Sequence, residues 1–214
     1  MSAEPIPVDR PGQSDQWQPD QWQPGPWQPD PARQHQADYT VEDLLRLPPD
    51  APRVELVDGV LHGVPSPSIG HQDIAGLLWM WLRRHAPDHL TASLAVSVGL
   101  TLTASRQPDV LLRNAGVDLT TSLIMAHDVI LAVEVVSPGT RRTDRFLKPR
   151  EYAAAEIPFY WRVEQDPVHV YAYRLGGRTG PEGRRDYEPM ADSAELLELA
   201  KPFEIKLPIA EITP

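Results

Sequence analysis

Glu134 is the only charge in the middle of DVILAVEVVS, an almost continuous run of β-branched and apolar residues. Such a run suits the centre of a sheet. Strand alternation then puts Leu131, Val133 and Val135 on one face and Ala132, Glu134 and Val136 on the other. An isolated carboxylate at that place costs several kcal/mol even after relaxation. The chain must therefore supply a cation, a metal ion or a protonated state, and a salt-bridged structural glutamate meets that demand as well as a functional one does. Asp109 follows Pro108 at the start of a preceding short strand, QPDVLLR, where an acid is either a turn residue or a partner for Glu134. An acid, a strand, roughly two dozen residues and an acid in the next strand is the order neighbouring strands need if both carboxylates are to hold one hard divalent cation. Such an ion prefers oxygen ligands and keeps some waters, which makes Mg²⁺ or Mn²⁺ the expected metal. The chain has no cysteine, so disulfides, thiolate zinc sites and thiol nucleophiles are excluded together, in keeping with a reducing compartment.

The elements that must position these acids can be read from periodicity. Thr40 is placed to cap a short helix, TVEDLLRL, with Asp43 as the reciprocal acid of a capping box and Pro48-Pro49 as its end. VELVDGVLHGV reads as a β-hairpin, because Asp58-Gly59 suits the primed turn that matches strand twist. SIGHQDIAGLLWMWLRRHA spaces Ile69, Ile74, Leu77, Leu78, Trp81 and Leu82 at helical intervals, and Pro87 marks its end. ASLAVSVGLTL alternates as a strand does, and a second helix over TDRFLKPREYAAA leads into the strands IPFYWRVEQ and VHVYAYRL, separated by Asp166-Pro167. GGRTGPEGRRD reads as a loop, and the remainder adds edge strands and cover. The alternation predicts an α/β fold with a mixed central sheet flanked by helices and an N-terminal β-hairpin.

Residues 1–38 form a different texture. They hold 8 of the 24 prolines and an imperfect repeat that sets Trp17, Trp22 and Trp27 five residues apart. Proline at that density denies regular backbone hydrogen bonding, and the apolar content is too low to offset ordering entropy. The expectation is a disordered tail over 1–38 and one domain over 39–214. The tail is either a solvated extension or a docking peptide for an unknown protein. The N-terminus lacks the basic and apolar regions of a secretory signal, and no apolar run is long enough to span a bilayer, so a cytoplasmic protein is expected.

Charge bears on the partner. The formal charge is −10, which works against gripping nucleic acid through bulk electrostatics. The tail carries six acids and two bases, leaving 24 acids against 18 bases and a net of −6 for the rest. Arg141, Arg142, Arg145 and Arg150 cluster with Lys148. They form either a local basic patch for a phosphate backbone or partners for the surplus acids.

The ordered motifs resemble a known group. The chain carries Glu55-Leu56-Val57-Asp58-Gly59, His71, Pro108-Asp109 and Glu134-Val135-Val136-Ser137-Pro138, followed by Asp144, Lys148, Tyr152 and Tyr160-Trp161. Over about Tyr39 to Leu175 this succession is similar to the PD-(D/E)XK restriction-endonuclease-like superfamily, and closely resembles its Uma-two family. The resemblance implies Asp109 and Glu134 as metal ligands, helped by the Val135 carbonyl. Position 136, where the superfamily usually keeps a lysine, is valine, and the resemblance implies that Lys148 on the following helix takes over that role. Its ammonium would hold the attacking water or stabilise charge growing on the phosphate. Glu55 is implied as a third acid, its alternative being an exposed strand residue beside a turn. His71 is a weaker candidate, since a histidine at a helix start is often a capping or surface residue. Pro149 removes a backbone bond and disfavours helical geometry at Lys148, so a helix with Pro149 in its first turn is what the arrangement requires.

The expected function is therefore a Mg²⁺- or Mn²⁺-dependent endonuclease acting on nucleic acid, most simply DNA. Homodimerisation is expected if both strands are cut. The alternative from another class is a nuclease fold without catalysis, serving as a binding or regulatory module.

Overall fold

The computed structural model describes residues 39–48, 51–177, 183 and 185–214. The expected tail over 1–38 and most of the loop GGRTGPEGRRD lie outside the described residues.

The first elements follow their local chemistry. Helix α1 (Val41–Leu45) begins at Thr40, whose amide and hydroxyl donate to Asp43 Oδ2 at 2.9 and 3.0 Å. Strands β1 (Val54–Val57) and β2 (Val60–Gly63) form the expected hairpin. Asp58 and Gly59 have φ of 49° and 77°, the left-handed pair that a primed two-residue turn demands. Helix α2 (Ile69–His85) is capped by the Ser68 hydroxyl, which accepts from the His71 amide at 3.3 Å. It buries Ile74, Ala75, Leu78, Trp81 and Leu82. Ile69, expected on that apolar face, is 81% exposed. Five residues before Ile74 is about 140° round a helix of 3.6 residues per turn, so the first turn carries Ile69 away from the sheet.

The alternating stretch ASLAVSVGLTL is split between two strands. It supplies the C-terminal part of β3 (Leu90–Leu94) and then β4 (Ser97–Thr101). Ala95 lies between them with φ of 49°. Strands β5 (Ala104–Arg106), β6 (Val110–Asn114), β7 (Leu123–Met125) and β8 (Val129–Val135) follow. After helix α3 (Lys148–Ala154) come β9 (Phe159–Gln165), β10 (Val168–Leu175), β11 (Tyr187–Ser193) and a hairpin of β12 (Leu196–Leu199) with β13 (Ile205–Pro208).

Two larger sheets result. The six-stranded one runs β11-β10-β9-β8-β6-β3, with β8 parallel to β9 and its other pairs antiparallel. The very apolar β8 sits inside it, as its composition requires. The five-stranded one runs β2-β1-β5-β4-β7. The hairpin is thus part of a second sheet, because β5 pairs with β1 and carries it across.

Strand alternation in β8 separates two cores. Leu131, Val133 and Val135 pack with Ile74, Leu78, Trp81, Leu82 and Trp161 in the larger cluster under α2. Ala132 packs on the other side with Val98, Leu111, Tyr152, Ile157 and Tyr160, under α3 and the second sheet. Glu134 shares that second side. Among the described residues no helix is long and apolar enough to cross a membrane.

Candidate active site

The charge buried in β8 has a partner. Glu134 is 1% exposed; its Oε2 accepts from Lys148 Nζ at 2.8 Å and its Oε1 from the Tyr152 hydroxyl at 2.6 Å. Lys148 Nζ also stands 3.3 Å from Asp144 Oδ1 and 3.7 Å from Glu55 Oε1. One ammonium therefore faces three carboxylates, all four side chains being largely buried.

Asp109 approaches from the next strand. The antiparallel register of β6 and β8 pairs Val110 with Val133, which brings Asp109 level with Glu134. Its Oδ2 accepts from the Val135 amide at 2.8 Å and lies 3.1 Å from His71 Nε2. Glu55, His71, Asp109, Glu134, Val135, Asp144 and Lys148 all line one cavity of about 370 Å³. Every candidate named from the sequence is thus gathered there, including His71, which buries its ring and bonds to Asp109.

Burial and neighbours set the protonation states. Burial pushes the Glu134 carboxyl well above the usual carboxylate range, against the pull of the Lys148 ammonium. Asp144 is raised for the same reason. Burial pulls Lys148 down, but Glu134, Glu55 and Asp144 outweigh it and hold the amine above its ordinary value. Held above its ordinary value, Lys148 carries its positive charge at neutral pH. Burial lowers His71, and the bond and charge of Asp109 reverse that to a net rise.

How Lys148 is aimed follows from Pro149. The helix enters through a π-helical turn, Thr143–Leu147, in which the Lys148 amide donates to the Thr143 carbonyl five residues back. In that register the Asp144 carbonyl would accept from residue 149, which as proline has no N–H. The Tyr160 hydroxyl takes the vacant acceptor at 2.6 Å. The wide turn leaves Pro149 in the first turn of α3 and keeps Asp144 and Lys148 on one side, both buried.

A second cation braces this helix. Arg106 Nε and Nη2 donate to the two oxygens of Glu151 at 2.6 and 2.8 Å, and Nη1 donates to Glu55 Oε2 at 2.8 Å. The Gln107 amide holds the other Glu55 oxygen at 3.1 Å. Arg106→Ala leaves two acids without their buried cation and frees α3 from the second sheet. It is expected to lower stability by about 3 kcal/mol in urea unfolding, the cost of breaking a buried pair from one side. A loss no larger than that of an exposed arginine would contradict this role.

The basic patch is rearranged. Lys148 is buried among acids and is not part of the surface cluster, because three carboxylates outbid solvent for its ammonium. Arg145 is forked onto Glu164 at 3.0 and 2.9 Å, so part of the cluster does pair with surplus acids. Arg141, Arg142 and Arg150 are exposed. The sequence marks Asp144 and Tyr152 only as spaced motif residues, through the spacing of four residues from Asp144 to Lys148 and again to Tyr152, one side of a helix, and it carries no signal for Arg106.

The donors suit a hard divalent cation in kind, being carboxylate oxygens beside the Val135 backbone. Asp144 Oδ1 is buried without a hydrogen-bond partner, its contact with Lys148 being an ion pair only. Among the described residues no three histidine, aspartate or glutamate side chains are arranged to hold a metal ion.

Comparison with known proteins agrees with this architecture. A search of curated proteins found none that matches. A crystal structure described as a "putative nuclease belonging to DUF820 from Anabaena variabilis ATCC 29413" superposes with a TM-score of 0.57 at 18% identity, over 81% of this chain and 96% of that one. At that identity the likeness is one of fold. A family profile, Uma2, described as "Putative restriction endonuclease", matches residues 41–210, a span that takes in both sheets and every side chain of the cavity. With the acids, the lysine and the fold in that order and place, the chain belongs to the Uma2 family.

Proposed function

We propose that this protein is a divalent-metal-dependent nuclease that hydrolyses phosphodiester bonds, with DNA as its substrate, at the cavity holding Asp109, Glu134 and Lys148. The observation that carries the reading is their convergence: two carboxylates from neighbouring strands and one ammonium delivered from the next helix.

Asp109 and Glu134 would hold Mg²⁺ or Mn²⁺, with the Val135 backbone beside them. A bound ion supplies Lewis-acid polarisation of the scissile phosphate and a more acidic water. The chain's own groups do the rest. His71 Nε2 and the Val135 amide fix Asp109, and the Tyr152 hydroxyl fixes Glu134. The Lys148 ammonium is placed to stabilise negative charge growing on the phosphoryl oxygens, while Glu55 and Asp144 keep it charged. Incubation with supercoiled plasmid and Mn²⁺ is expected to yield nicked or linear DNA, and an intact plasmid after prolonged incubation defeats the proposal.

The Lys148–Glu134 pair itself favours a second reading, in which the cavity is a closed ion-pair network and the domain binds without cutting. Metal affinity separates the two. At Mn²⁺ about a hundredfold above its dissociation constant, binding to the native state alone adds about 2.7 kcal/mol of stability. The nuclease reading expects a metal-dependent rise in the thermal midpoint that Asp109→Asn removes. A midpoint indifferent to Mn²⁺ supports the binding module.

A further inference from the structure

The helix that delivers Lys148 has a second working side. Asp144 and Lys148 face the carboxylate cavity, whereas Arg145, Phe146, Pro149 and Arg150 line a separate cleft of about 190 Å³. The far wall of that cleft is aromatic and basic: Tyr160, Arg162, Tyr173 and Tyr187, with Asp186 at its edge.

Three features give the cleft a chemistry of its own. First, ring surface lines its wall: Tyr173 and Tyr187 are half-buried, and Tyr160, only 1% exposed, backs them. The hydroxyls of Tyr160 and Tyr187 are taken by the carbonyls of Asp144 and Ile157, at 2.6 and 2.8 Å. The Tyr160 ring stacks on those of Tyr173 and Tyr187, with centroids 6.0 and 5.6 Å apart. Second, an aromatic side chain that should be buried is not: Phe146 is 63% exposed at the rim. Third, cations are in surplus inside an acidic protein. Glu164 alone serves both Arg145, at 2.9 Å, and Arg162, at 3.1 Å, and Arg150 is exposed with no ion pair among the described residues. Arginine forks match phosphate oxygens, and aromatic faces stack with any base. The volume is below that of pockets for whole drug-sized ligands, roughly 300–1,000 Å³, and suits one ring system with its phosphate at the mouth.

We propose that this cleft binds one nucleotide of a nucleic-acid strand, the base against Phe146 and the half-buried Tyr173 and Tyr187, and the phosphate on Arg150 at the mouth, where Arg145, already forked onto Glu164, adds positive charge. The inference rests on the nuclease reading only for the identity of the strand, since the cleft lies on the opposite side of α3 from the acids.

The test uses the full chain in excess chelator, so that no hydrolysis intervenes. Calorimetric titration with deoxyadenosine 5′-monophosphate is expected to saturate, with deoxyadenosine and inorganic phosphate each at least about tenfold weaker. Arg150→Ala and Phe146→Ala change exposed side chains and should leave the unfolding midpoint alone while weakening the nucleotide about tenfold. A hexadeoxyadenylate presents several such nucleotides to one cleft, with neighbouring phosphates near the same arginines, and is expected to bind more tightly than the mononucleotide. No saturable binding, inorganic phosphate as tight as the nucleotide, or unchanged affinity in both variants would overturn the site, and a hexamer no tighter than the monomer would overturn the strand assignment. Glu134→Gln is expected to keep nucleotide affinity. Nucleotide binding without plasmid cleavage therefore upholds this cleft while refuting the nuclease reading, and cleavage without nucleotide binding refutes the cleft alone.

Discussion

Glu134→Gln is expected to reduce Mn²⁺-dependent plasmid cleavage by on the order of 10²- to 10³-fold, the range seen when one preorganised electrostatic group is removed from an active site. The substitution preserves shape. A glutamine oxygen can still accept from the Tyr152 hydroxyl, so the loss would fall on metal binding and charge and not on packing. Folding should survive. Breaking a buried pair costs about 3–5 kcal/mol when the remaining charge is stranded, but Lys148 keeps Asp144 at 3.3 Å and Glu55 at 3.7 Å. The expected loss of stability is therefore smaller than that range. Nicking rates and urea unfolding on the same preparation check both halves. Undiminished cleavage removes Glu134 from the mechanism.

Lys148→Met is the opposite case and should unfold the protein more than it changes anything else. Three largely buried acids would be left without a cation, and a loss of about 3–5 kcal/mol at pH 8 is expected. The loss should shrink on acidification. Glu134 and Asp144 already titrate above the usual range because burial disfavours their charge, and removing the ammonium that opposes this raises them further. A carboxyl whose folded pKa exceeds its unfolded one binds its proton more tightly when native. Its contribution is fully present below the unfolded value and is lost as pH rises through the folded one. The variant should therefore regain stability between pH 8 and about 4, an ordinary carboxylate value. In the unsubstituted protein Lys148 follows the same rule in a higher window, since its raised pKa keeps its contribution intact through neutral pH. Unfolding at pH 8 and pH 5 compares the two. Parallel pH slopes for variant and parent would contradict the account.

Much of the machinery was legible before the coordinates because its signals are local. A lone carboxylate in β8 demands a partner wherever the strand goes, and Asp58-Gly59 encodes its own turn. Pro108-Asp109 stands one residue before a strand that must neighbour β8 if the two acids are to meet, and it does. Less legible were the events that depend on distant chain. Ala95 takes a left-handed turn that divides one alternating run between two sheets, and no propensity of alanine predicts it. Arg106 reads as an ordinary strand residue until Glu55, 51 residues before it, and Glu151, 45 after, close on its guanidinium.

By itself the chain determined the two acids, the order in which the strands deliver them and the need for a buried counter-charge, because each follows from composition and spacing within a few residues, whereas Lys148 was implied only by the family resemblance. Only the tertiary structure decided that the counter-charge is Lys148 and that Asp144, Glu55 and Tyr152 share it. It also decided that a π-helical turn accommodates Pro149 and that the arginines beyond it form a cleft of their own. Those outcomes depend on which carboxylates and hydroxyls arrive from other elements to satisfy buried groups, and that competition is settled in three dimensions.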